Sequence, residues 1–140
     1  MTLIELERTI TADPASVTLL LSGPAAGELW PNVLDVKSAP TQLDLQVKTP
    51  AGTESSAKVE MTRPVRSPTA YRIAFAIRTD RLPPLAGTLT LGHAQRLHDV
   101  PTTRAVLTLV YHGRNPQQLR GLAERYLQNV AAAAESRSVE

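Results

Sequence analysis

The sequence predicts an α+β fold: one curved antiparallel sheet of about six or seven strands wrapped around a long C-terminal helix, with two short helices after the first strand. Two patterns carry that expectation. From Asn115 to about Glu135, Leu119, Leu122, Ala123, Tyr126, Leu127, Val130, Ala131 and Ala134 recur at steps of three and four, which places them on one helical stripe. Most of the chain before it alternates apolar with polar residues, the period of strands that have one face in a core and one in water. The apolar side of such a sheet needs a cover, and only the C-terminal helix, some 30 Å long for about twenty residues, is long enough to supply it.

The elements follow in order. Leu3 to Ile10 sets Ile4, Leu6 and Ile10 against Glu5, Glu7 and Thr9, a half-buried strand. Asp13 and Pro14 start a short helix with Val17, Leu20 and Leu21 on its apolar face, and Ser22-Gly23-Pro24 stops it. A second short helix spans Ala25 to Trp30 and ends at Pro31. Strands are then expected at Val33 to Ser38, Gln42 to Thr49 and Ser55 to Thr62, the last two joined by a hairpin turn at Pro50-Ala51-Gly52. A turn from Pro64 to Pro68 leads to a strand in which Tyr71, Ile73, Phe75 and Ile77 share one face. After a corner at Pro83-Pro84, the strands Leu85 to His93 and Thr102 to His112 flank a polar connection from Gln95 to Thr102. Asn115 is placed to cap the final helix, with Pro116 at its first position and Gln118 three residues after the cap.

Composition narrows the class of protein. The 140 residues fit a single domain, 1–135, with a frayed tail at 136–140. Aromatic residues make up only 4%, so the core is built from Leu, Val, Ile and Ala, and platforms for stacking nucleic-acid bases are scarce. Net charge is +2 with no run of adjacent basic residues, so no basic tract points to a polyanion. Cys is absent, which removes disulfides, thiolate nucleophiles and Cys-ligated metals. Glu5, Glu7 and Arg8 interrupt the N-terminal apolar residues as no signal peptide would, and no apolar run reaches the length of a membrane span. The expectation is a cytoplasmic protein, monomer or homodimer.

The order of strand, two short helices, strand meander and long terminal helix resembles the helix-grip fold of the SRPBCC superfamily, which includes START domains, the birch-pollen allergen and polyketide cyclases. Three stretches carry the resemblance. Arg8-Thr9-Ile10-Thr11-Ala12-Asp13-Pro14-Ala15-Ser16-Val17 is similar to that family's opening strand, turn and helix start; Trp30-Pro31-Asn32-Val33 resembles the end of its second helix. Gly87-Thr88-Leu89-Thr90-Leu91, with Thr103 to Tyr111, resembles the last two strands of the bacterial polyketide cyclase/dehydrase-like branch. Leu89 departs from that branch, which often has an aromatic there. The resemblance implies a hydrophobic cavity between sheet and helix, used by various members for lipids, polyketides or quinones, by some as cyclases or aromatases and by others as carriers or protein partners. Fold alone does not choose among these.

No motif for chemistry competes with the cavity. His93, His98 and His112 lack metal-ligand spacing, and no cofactor motif is present. Ser22-Gly23-Pro24-Ala25 is a turn and not a nucleophile elbow, and the stretch between Gly87 and Gly92 lacks the Lys-Ser of a phosphate loop. Glu5 and Glu7 share a strand face, but it is the solvated one opposite Ile4 and Leu6. Arg72 and Arg78, with Arg63, Arg66 and Arg81 in flanking turns, make a basic face that Glu60 and Asp80 balance, and a solvated face is favoured over a nucleic-acid partner.

The candidate ligand-binding set is therefore Tyr71, Ile73 and Phe75 from one strand; Leu89, Leu91 and His93 from the next; Leu107, Leu109 and Tyr111 from the last; and Leu122, Tyr126 and Val130 from the helix. Tyr71, Tyr111, Tyr126 and His93 are its polar groups, whose alternative role is ordinary core packing. Trp30 is expected to close one end of the cavity. Ala105 and Ala123 either leave a void or let helix and sheet close on one another. The leading expectation is binding of a small hydrophobic molecule with no catalytic residue. The alternatives are a polyketide cyclase or aromatase in which the tyrosines or His93 move protons, and an interaction module that binds protein or RNA through the arginine face.

Overall fold

In the computed structural model of the chain, which describes residues 2–23, 26–39, 41–48, 52–62, 64–67, 70–79, 85–94, 101–114 and 116–138, alternation in the sequence becomes alternation in burial. In β3 (Gln42–Lys48), Leu43 and Leu45 are buried between exposed Asp44 and Gln46. In β8 (Thr103–Tyr111), Thr103, Ala105, Leu107, Leu109 and Tyr111 all face inward. The other strands are β1 (Thr2–Ile10), β2 (Val33–Ala39), β4 (Glu54–Met61), β5 (Val65–Arg66), β6 (Ala70–Thr79) and β7 (Leu85–His93). They form one antiparallel sheet in the order β1-β8-β7-β6-β4-β3-β2, with β5 added along β6. The helices are α1 (Pro14–Ser22) and α2 (Pro116–Ser138), with a single 3-10 turn at Ala26–Leu29.

Local chemistry explains the boundaries. The Asp13 carboxylate accepts the Ser16 backbone N–H at 3.0 Å and caps α1, while Pro14 occupies its first turn. Gly52, with φ of 84°, supplies the left-handed position of the β3–β4 hairpin. Gly87 serves packing: a Cβ there would lie 2.5 Å from the Phe75 ring and 2.7 Å from the Leu109 side chain, so its absence lets Phe75 lie across β7.

Several sequence expectations change. The second short helix is only a 3-10 turn. The turn expected between Pro64 and Pro68 contains β5, in which Val65 and Arg66 pair with Arg72 and Tyr71. Helix α2 extends past Glu135 to Ser138. Its last turns are built from strong helix formers, and the Glu135 carboxylate accepts the Thr11 backbone N–H at 3.2 Å, which ties that end to the β1–α1 turn. The Asn115 cap, the turns at Pro24, Pro50-Ala51, Pro68 and Pro83-Pro84, the 95–100 stretch with His98, and Arg63, Asp80 and Arg81 lie outside the described residues.

The core is thickest where α1, α2 and β1 meet. Ile10, Val17 and Val130 are wholly buried there, and α2 comes closest to β1, α1 and the 3-10 turn. One polar contact crosses this region: the fully buried Thr103 hydroxyl donates to the Ala12 carbonyl at 2.7 Å, joining β8 to the chain between β1 and α1. Thr103→Val, which keeps the shape but strands that carbonyl, is expected to lower unfolding free energy by about 1–3 kcal/mol. Urea denaturation measures it, and an unchanged midpoint would remove the contact from the account.

Candidate functional site: a cavity under the N-terminal half of α2

Because α2 is held close at its C-terminal half, its N-terminal half stands off the sheet. The space beneath is a cavity of about 900 Å³, at the upper end of the range for small-molecule pockets. Its floor is Leu45 and Val47 of β3, Ala57 and Val59 of β4, Phe75 and Ile77 of β6, Leu85 of β7, and Leu107, Leu109 and Tyr111 of β8. Leu119, Leu122, Ala123 and Tyr126 of α2 form the roof. Polar residues gather at the rim: Asn32, Lys48, His112, Arg114 and Gln118 are exposed, with Ser55 and Thr79 half-buried beside them.

Trp30 forms one wall. Its ring stacks on Tyr126 with centroids 4.3 Å apart and planes 18° apart, and meets Phe75 edge-on at 6.0 Å. The segment carrying it is fastened on two sides. Asn129 Nδ2 donates to the Leu29 carbonyl at 2.9 Å and Arg125 Nη1 reaches Asn32 Oδ1 at 3.5 Å, while the Lys48 backbone N–H donates to the Asn32 carbonyl at 2.9 Å. Asn32 adopts φ of 61°, a left-handed conformation that Asn tolerates better than most residues.

The polar atoms of the three tyrosines differ in fate. Tyr111 Oη donates to the Arg114 carbonyl at 3.1 Å, and its ring fills the space over Gly113. Tyr71 lies at the far end of β6, with the Arg66 guanidinium 5.9 Å from its ring centre. Tyr126 is 7% exposed, and its hydroxyl makes no hydrogen bond among the described residues. No sealed side-chain nitrogen or oxygen among those residues lacks a partner, so the Tyr126 oxygen opens onto the cavity. Burial drives its pKa well above the usual tyrosine range, which keeps it a neutral donor.

Of the twelve residues expected from sequence to line a cavity, Phe75, Leu107, Leu109, Tyr111, Leu122 and Tyr126 do so. Tyr71, Ile73, Leu89, Leu91 and Val130 do not, although they share the inner face. Helix α1 packs over the β6–β7 half of the sheet where Ile73 and Leu91 lie, and fills it. His93 has the right strand parity, but it ends β7 and is exposed, outside the cavity. Leu45, Val47, Ala57 and Val59 were absent from the expected set. Their alternation marked them as inward-facing, but nothing local to them tells which end of the sheet α1 covers.

The other constellations resolve simply. Glu7 and Arg104 form an exposed bidentate pair, with Nη2 2.9 Å from Oε2, and the Arg104 hydrogen bonds lower the Glu7 pKa. Arg72 and Arg78 are exposed, and Lys58 stands beside Arg78 on β4. No group of three metal-ligating side chains occurs among the described residues, and none of their helices is long and apolar enough to cross a membrane.

No protein-family model matches the chain, and no curated protein matches it by sequence. Solved structures do. A START superfamily protein from Mycobacterium smegmatis is 17% identical, with a TM-score of 0.63 over 96% of this chain and 95% of that one. A conserved protein from Geobacillus kaustophilus is 10% identical, with a TM-score of 0.68 over 96% of each chain. Ara h 8.0201 is 12% identical, with a TM-score of 0.62 over 96% of this chain and 98% of that one. At such identities the likeness is one of fold, the START-like helix grip.

Tyr126→Phe is expected to cost less than the roughly 1 kcal/mol of a made hydrogen bond, because no bond within the protein is lost. The unfolded phenol ionises near pH 10 while the folded one stays protonated, so wild-type stability falls as pH rises past about 10, and the variant lacks that part of the loss. Urea midpoints of both proteins at neutral and alkaline pH check this; equal alkaline losses would place the hydroxyl in water.

Proposed function

We propose that this START-like domain binds one small hydrophobic molecule, of the lipid, polyketide or quinone class, in the cavity beneath α2 and performs no covalent chemistry on it. The reading rests on Tyr126. Its hydroxyl opens onto the cavity and has no hydrogen-bond partner among the described residues, so a ligand oxygen seated there can accept from it. The surroundings suit the role: apolar walls from five strands and a helix, with one unengaged hydroxyl inside among the described residues, both hold and orient an apolar molecule. Covalent chemistry finds less support, since His93 is exposed outside the cavity and the Tyr111 hydroxyl is engaged with the Arg114 carbonyl.

Nile red, a neutral fluorescent dye, tests the reading. The wild type is expected to bind one equivalent with a gain in fluorescence. Ala57→Phe, which projects a ring from the cavity floor, is expected to weaken binding by roughly tenfold or more without lowering the melting temperature. A wild type that does not bind, or a filled variant that binds as well, would contradict the proposal.

A further inference from the structure

We infer that the molecule held in the cavity is an amphiphile with an anionic head group, seated with its tail under α2 and its head at the rim beside Arg114, His112 and Lys48. The inference rests on the proposed binding function and narrows it. The wall is strongly asymmetric in charge. Among the described residues the charged side chains that line the cavity are basic, Lys48 at the end of β3 and Arg114 in the β8–α2 connection, which also carries His112. No Asp or Glu among the described residues lines it. Lys48 and Arg114 are exposed cations and His112 offers a ring N–H, while the floor and roof behind them are apolar.

The end of α2 adds to the same field. Its first turn reaches the rim through Gln118 and contains no acidic residue to neutralise the positive end of the helix dipole. The Tyr111 hydroxyl holds the Arg114 backbone at 3.1 Å, so this part of the rim is tied to the cavity floor. Glu54 is the residue that faces Lys48 across the β3–β4 pair. It is exposed, does not line the cavity and makes no ion pair with Lys48. A head group carrying one negative charge would gain from the charges of Arg114 and Lys48 and from the helix end, and could accept a hydrogen bond from His112. A neutral head would gain only hydrogen bonds, and a cationic one would be repelled. Tyr126, deeper in, is left to a polar atom part-way along the tail or to water.

Displacement of Nile red from the full chain by decanoate, decyl phosphate and 1-decanol, at equal tail length and below micelle formation, tests the inference. At low salt either or both anions are expected to bind at least about tenfold tighter than the alcohol, and the tighter anion identifies the head as carboxylate or phosphate. The preference is expected to shrink as salt rises, because the head sits at a solvated rim. In the Lys48→Glu/Arg114→Glu variant, with its fold checked by circular dichroism, the ratio of anion to alcohol affinity should fall to about one or below. Equal binding of decanol and the anions would overturn the head-group inference and leave the hydrophobic site standing. So would anions that fail to displace a dye that does bind. A chain that fails to bind Nile red would remove the site and this inference with it.

Discussion

Everything distinctive about this fold depends on where α2 touches the rest. Val130, Ala131 and Ala134 are buried where α2 meets β1 and α1, with small side chains that allow close approach. The Glu135 carboxylate fixes the same end to the β1–α1 turn. Away from that end α2 is separated from the sheet by the cavity. The side chains under the raised half are Leu119, Leu122 and Ala123, with Tyr126, and they do not fill the gap to β3, β4 and β6. The cavity is thus a consequence of close packing elsewhere.

Three of the five aromatic residues stand at the junction between the filled and hollow halves. Trp30 contacts both Phe75 and Tyr126 there, and Gly87 gives the Phe75 ring its place against the sheet. This cluster limits how far the solid core extends. It also places the Tyr126 hydroxyl, which has no partner among the described residues, inside the hollow half, while the charged groups stay at the rim.

The sequence showed the fold more fully than the site. All eight residues of the helical stripe from Leu119 to Ala134 are buried or half-buried in α2, and the alternation in β3, β6 and β8 matches the observed inner face. These are local periodicities, and a residue's parity on a strand decides its face. Which inward residues line a hole and which lie in solid core depends on α1, nine residues long, covering β6 and β7 and leaving β3 and β4 open. No spacing within β6 separates Phe75, which lines the cavity, from Ile73, which does not. His93 shows the same limit at a strand end, where correct parity leads to solvent. The two-residue β5 escaped notice because Pro64 and Pro68 marked its surroundings as a turn.

Native mass spectrometry of the protein purified from its own host, followed by denaturing extraction, tests most directly whether the raised half of α2 covers an occupied site. The account predicts one apolar molecule per chain, retained under native conditions and released on unfolding. A chain that is empty as purified, and whose melting temperature does not rise with any of a panel of lipids, quinones and polyketides, would contradict it and place α2 down on the sheet over a closed core.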